Sequence, residues 1–226
     1  MARSKRRNRR RAADRAPALP DPPPRAVLTR WQQACIWLRH LVPLACVVVF
    51  GGSMLQFLLL SVFNIAFTVA AIGTVGVAVS TRQEVGSTGW ADQSGALFAL
   101  AAVCIGVSVM LTGLFGWIIA LVAADEAKGL WDPRLWMGVL GIVAAAVPGM
   151  VLQYQQDLHA QLPEEVRKQR DRPEVGVQLF SAAFIFLLSG FTVGWEGVGP
   201  MLLALFVTGL FIFRDLRPDL ARALAR

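Results

Sequence analysis

Long apolar stretches without any charged residue or histidine dominate the chain after residue 40. They cover 41–81, 93–124, 135–156, 175–195 and 197–213. A helix needs about 20 apolar residues to cross the roughly 30 Å hydrocarbon core of a bilayer. Most of the stretches reach that length. The pattern therefore predicts an all-α integral membrane protein, built as a bundle of transmembrane helices.

The first stretch is too long for one ordinary span. At about 1.5 Å per residue, 41–81 would form a helix of roughly 60 Å. We predict two spans, about 41–60 and 65–80, with a tight turn at Ser61–Asn64, because Asn favours turns. The alternative is one long helix, in which several polar side chains would share a face. The residues of this candidate intramembrane polar face are Gln56, Asn64, Thr68 and Thr74.

Charge bears on the number of spans. The chain has a formal net charge of +7, but residues 1–30 hold 10 of the 22 basic residues and only two acids. The positive-inside rule therefore places the N-terminus in the cytoplasm. Six spans also keep the basic residues of 155–176 and 214–226 inside, whereas the alternative of four spans places those of 155–176 outside. The predicted spans are 41–60, 65–80, 96–122, 136–154, 177–194 and 198–213, with both termini cytoplasmic.

Three regions follow from this division. Residues 1–28 are predicted to be a disordered, basic and Pro-rich cytoplasmic tail, because five prolines between residues 17 and 24 prevent a helix. Residues 29–213 form the multi-pass transmembrane domain. Residues 214–226 form a cytoplasmic amphipathic tail in which Leu repeats every four residues.

The segment 155–176 is predicted to hold a short cytoplasmic helix. Pro163 suits a first helical turn, and Glu164 and Glu165 follow where negative charge is favoured. Arg167 to Arg172 come later, where positive charge is favoured. We expect Pro173 to end this helix.

Small residues at four-residue spacing mark faces where membrane helices pack closely. Such residues recur in the fourth and fifth predicted spans. They predict packing within the bundle or, alternatively, a contact with another membrane protein or a second copy. The candidate packing residues are Gly141, Ala145, Gly149, Gly190 and Gly194.

No catalytic constellation is visible in the sequence. The two histidines lie outside the apolar stretches, and the three cysteines have no metal-ligand spacing. We therefore expect a protein that is not an enzyme and needs no cofactor or metal. Its first partner is the lipid bilayer.

The leading interpretation is a non-enzymatic accessory or structural subunit of a membrane assembly. The alternatives are a small solute or ion transporter or channel, and a membrane tether for DNA or another polyanion in secretion or DNA-transfer machinery. The predominance of Arg over Lys, 19 to 3, favours a GC-rich bacterium and hence its cell membrane. The basic tail is expected to contact anionic lipid, with an acidic protein or nucleic acid as alternatives. Its contact residues would be Arg6, Arg7, Arg9, Arg10 and Arg11.

Overall fold

The structure is a computed structural model that describes residues 29–85, 90–122, 132–192 and 198–217. Within these residues it contains six helices and no strand. They are α1 (Arg30–Val48), α2 (Met54–Val85), α3 (Trp90–Val122), α4 (Pro133–Ala160), α5 (Glu164–Thr192) and α6 (Val198–Leu216). The all-helical architecture is confirmed.

Four helices are long and apolar enough to cross a membrane. The candidate spans are Met54–Gln83, Leu97–Ile118, Pro133–Ala160 and Gly199–Leu216. They lie in α2, α3, α4 and α6. Their lengths and compositions support a membrane protein.

The predicted turn at Ser61–Asn64 is wrong, and with it the boundaries 41–60 and 65–80. These residues lie inside α2, which continues without a break to Val85. The chain turns instead at residues 49–53, where Gly51 adopts a φ of 65° that favours glycine. The adjacent Gly52 donates its N–H to the carbonyl of Cys46 at 3.0 Å. A Cβ at Gly52 would lie 2.8 Å from that same oxygen, so only glycine fits.

The predicted helix end at Pro173 is also wrong. α5 begins at Glu164, directly after Pro163, and runs through Pro173 to Thr192. A proline removes the hydrogen bond to the carbonyl four residues earlier. Here that carbonyl belongs to Gln169, which is exposed. Solvent can therefore replace the lost donor, and the helix continues.

α2 is the central helix and packs against all five others. In the most apolar segment of α2, 89% is buried inside the bundle. In the most apolar segment of α3, only 11% is buried. One face of α2 joins α1, α3 and α4 in an apolar core that includes Phe63 and Ile142. The opposite face joins α5 and α6 in a second core, the α5–α6 core, whose buried members are Phe57, Leu58, Val62, Ile65, Ile185, Ala204, Val207 and Phe211.

Successive helices alternate in direction. Gln56 of α2 bonds to Asp132 beside the start of α4, at the end of the bundle that holds the 49–53 turn. We call this end side A. Ser80 of α2 bonds to Arg167 near the start of α5, at the opposite end, which we call side B. The 161–163 turn lies at side B.

Candidate functional site

A cluster of buried polar side chains occupies the place where four helices meet. We call it the central polar cluster. His40 is only 3% exposed, and Asn64 and Arg214 are also buried. α1, α2, α5 and α6 contribute to the cluster, whose members are Arg39, His40, Asn64, Ser181, Arg214 and Asp215.

The cluster brings ionisable groups against an apolar candidate span. Asn64 is ten residues from the start of α2, which places it about 15 Å along the helix axis and well inside the candidate span Met54–Gln83. Arg214 and Asp215 lie near the end of the candidate span Gly199–Leu216. Ionisable groups inside a membrane are costly, and they mark substrate or ion sites in membrane proteins. This makes the cluster the first candidate for function.

One carboxylate organises the cluster. Oδ2 of Asp215 accepts hydrogen bonds from a guanidinium nitrogen of Arg39 at 2.5 Å and from Nε2 of His40 at 2.8 Å. Its Oδ1 accepts from Nε of Arg214 at 2.7 Å. Arg214 also donates to the hydroxyl of Ser181 at 2.5 Å. A single carboxylate therefore links α1 to α6, and Arg214 extends the link to α5.

His40 joins this carboxylate to α2. Nδ2 of Asn64 donates to Nδ1 of His40 at 3.1 Å, so the proton of the neutral ring lies on Nε2 and points to Asp215. The neutral ring is the form that this arrangement favours.

The cluster carries more positive than negative charge. Two guanidiniums, of Arg39 and Arg214, face one carboxylate, and His40 is neutral. Two of its buried polar atoms also have no hydrogen-bond partner among the described residues, namely Nε of Arg39 and Oδ1 of Asn64. Buried polar atoms are normally satisfied, so each such atom calls for an explanation.

A stripe of polar residues runs along the inward face of α5 from side B to the cluster. We call it the α5 polar stripe. Its members recur at spacings of three and four residues, which places them on one helix face. Gln178 is 2% exposed, and its Oε1 has no partner among the described residues. The stripe consists of Arg167, Asp171, Glu174, Gln178 and Ser181.

Ion pairs and hydrogen bonds hold the side B end of this stripe. Arg170 forms two hydrogen bonds with the buried Asp157 of α4, at 2.6 and 2.8 Å, and two with Asp171. These two carboxylates raise the pKa of Arg170 above its usual value. Arg167 donates to Ser80 of α2 at 2.5 Å. The start of α5 is thereby joined to α2 and α4.

Glycines on α2 lie on the same helix face as Ser80. Gly76 and Gly73 precede it by four and seven residues. A Cβ built at either position would have no atom within 4 Å, and Gly73 is exposed. This part of the α2 face therefore lies at the surface of the bundle.

Apolar side chains close the opposite side of the cluster. On α5, the position after Ser181 in the stripe is Ile185, which is fully buried in the α5–α6 core. Phe211 of the same core contacts the cluster directly, with its ring 4.9 Å from the Arg214 guanidinium carbon and 6.0 Å from the His40 ring. Towards side A the cluster is therefore capped by packed hydrophobic residues.

The four residues of the predicted polar face of α2 have different partners in the structure. Only Asn64 reaches the central polar cluster. Gln56 lies at side A and donates to Asp132 at 2.9 Å. The hydroxyls of Thr68 and Thr74 return to carbonyls of their own helix, and Thr74 also contacts Cys104. The four residues therefore do not line one path.

The predicted packing residues have different surroundings. A Cβ on Gly141 would lie 3.3 Å from a methyl group of Val42 on α1, and Ala145 is buried. Gly149 has open space around its Cα. Gly190 lies in α5, but its surroundings and the whole of Gly194 are outside the described residues, as are Arg6, Arg7, Arg9, Arg10 and Arg11.

Sequence reasoning missed the ionic members of the site. His40, Arg214 and Asp215 border apolar stretches, and that position indicates the ends of the bundle. Arg167 falls in the predicted short cytoplasmic helix of 155–176. The spacing of the α5 polar stripe was a usable signal, but the expected helix end at Pro173 divided it. Among the described residues, no group of three His, Cys, Asp or Glu side chains could hold a metal ion.

Comparison with protein-family models, with curated proteins and with solved structures found no match to this chain.

Proposed function

We propose that the protein is a small membrane transporter and that the central polar cluster is its substrate site. The observation that carries this proposal is the buried set of ionisable groups at the depth of Asn64. A purely structural helix bundle needs no such groups, because apolar packing joins membrane helices at lower cost. The α5 polar stripe supplies the approach from side B.

The cluster has polar residues on one side and apolar packing on the other. This difference supports a substrate path that is closed by a gate towards side A. From side B, the buried polar residues of the α5 polar stripe lead towards Ser181. Towards side A, the α5–α6 core fills the interface. Passage would require α5 and α6 to separate from α2, which would break the contacts of Phe211 and Ile185. The described conformation is then the one that is closed on side A.

We further propose that all six helices cross the cell membrane, with side B in the cytoplasm. Two features support six crossings. Successive helices alternate in direction, and the polar faces of α1 and α5 are covered by the other helices of the bundle. Side B also holds Arg82 and the basic residues of α5, as the positive-inside rule requires. Both termini would be cytoplasmic. Labelling of single cysteines placed near residues 51, 87 and 162 tests this topology.

The transport proposal is tested in liposomes that contain the purified protein. Light scattering reports the entry of small polar solutes, and ion-selective electrodes report the flux of inorganic ions. Gln178→Leu removes one polar member of the α5 polar stripe while nearly keeping its volume, so we expect it to reduce flux at least about tenfold. Asn64→Leu in the cluster is expected to have the same effect.

Gln169→Leu is the matched control, because Gln169 lies on the same helix but is exposed. We expect it to leave flux unchanged. Flux that survives both Gln178→Leu and Asn64→Leu would refute the path. A folded wild-type protein that moves none of the tested solutes would refute the function.

A subunit role in a membrane assembly is a second candidate, and the exposure of α3 favours it. α3 packs mainly on α2, and its large apolar side chains face outwards, among them Phe98, Met110 and Trp117. Co-purification with a defined second membrane protein in mild detergent would support this role. A monomer without such a partner would refute it.

A further inference from the structure

We infer that the central polar cluster binds a small monovalent inorganic anion of the chloride or nitrate class. The inference deepens the proposed function, because it rests on the cluster being the substrate site. It starts from the imbalance between positive and negative charge around Asp215.

Four helices contribute side chains to this balance. α1 contributes Arg39 and the neutral His40, and α6 contributes Arg214 and Asp215. α2 contributes Asn64 and α5 contributes Ser181, both uncharged. Among the residues that the structure describes in the cluster, one positive charge is left without a counter-charge. In surroundings of low polarity, a bound anion would lower the cost of burying that charge.

The ion pairs at side B join groups of opposite charge. Arg170 pairs with Asp157 and with Asp171, and the exposed Lys168 pairs with Glu164. Arg167 differs from them, because this buried guanidinium donates to the hydroxyl of Ser80 and forms no ion pair with a described residue.

A free donor points to where the anion would sit. Nε of Arg39 is buried and donates to no described residue. The side chain of Arg39 is 15% exposed, against 9% for Arg214 and 11% for Asp215. An anion would approach the cluster from this exposed part of Arg39. Arg214 already donates to Asp215 and Ser181, and the amide of Asn64 donates to His40.

Chloride titration of the purified full-length protein in detergent tests this inference. Chloride replaces gluconate at constant ionic strength, and the melting temperature is followed by tryptophan fluorescence. A ligand that binds only the folded state raises the melting temperature in a saturable way. We expect such a rise with chloride and with nitrate, and none when sulfate replaces gluconate.

Arg39→Gln is expected to raise the apparent Kd for chloride at least about tenfold, because it removes a charged donor. Arg172→Gln removes an equal charge from the exposed face of α5 and should leave the Kd unchanged. Arg39→Lys keeps the charge without Nε and should weaken binding less than Arg39→Gln does. If Arg39→Gln does not fold, the wild-type titration and Arg39→Lys decide the result.

The inference is overturned if wild-type protein shows no saturable rise, or if chloride stabilises the Arg39 variants and the wild type equally. Liposome flux separates this failure from that of the proposed function. If the protein transports another solute and chloride has no effect, the proposed transport function stands and the anion site is refuted. If chloride binds at Arg39 but no solute is transported, the anion site stands and the proposed transport function is refuted.

Discussion

Replacing Asp215 by Asn gives a quantitative test of the central polar cluster. Asp215→Asn keeps the size of the side chain but removes the one negative charge that faces Arg39 and Arg214. The three hydrogen bonds to its carboxylate, at 2.5, 2.7 and 2.8 Å, would lose their ionic character. Removing one partner of a buried ion pair costs about 3–5 kcal/mol, because the other charge is left buried and unpaired.

A second substitution shows whether charge is the cause. Arg39→Gln combined with Asp215→Asn returns the cluster to the excess of one positive charge that the wild type has. We therefore expect the two substitutions to be non-additive: the double variant should lose less stability than the sum of the two single losses, by roughly 0.5–3 kcal/mol, the range for residues in direct contact. If Arg39→Gln and Asp215→Asn act additively, the two residues do not share a buried ion pair.

Unfolding by denaturant in detergent, followed by tryptophan fluorescence, measures these free energies. The exposed Arg172 supplies the control, because Arg172→Gln combined with Asp215→Asn should not restore stability. A loss below about 0.5 kcal/mol for Asp215→Asn, the range of surface substitutions, would refute the buried cluster itself.

A further prediction concerns packing. Gly138→Ala should destabilise the protein by about 1–3 kcal/mol, because its Cβ would lie 2.7 Å from a methyl group of the fully buried Leu60. Gly149→Ala is the matched control on the same helix, because a Cβ there has open space and should not destabilise the protein. Equal melting temperatures for the two variants would contradict this packing.

The first apolar stretch shows how far sequence reasoning reached. Its length correctly indicated that 41–81 could not be one ordinary span. The position of the break was wrong, because Asn64 is as suitable for a turn as the glycines at 51 and 52. Only the packed structure shows that Asn64 bonds to His40, and that Gly51 takes the backbone conformation that reverses the chain.

The sequence by itself determined the helical class and the apolar helices that could cross a membrane, because both follow from composition along a single segment. It could not reveal the candidate site. His40, Asn64 and Asp215 are separated by up to 175 residues, and each looks like an ordinary turn or end residue in its own segment. Their common position depends on how far α1 and α6 extend along α2. Packing between helices sets that extent, and therefore the tertiary structure alone decided that these groups meet in the interior of the bundle.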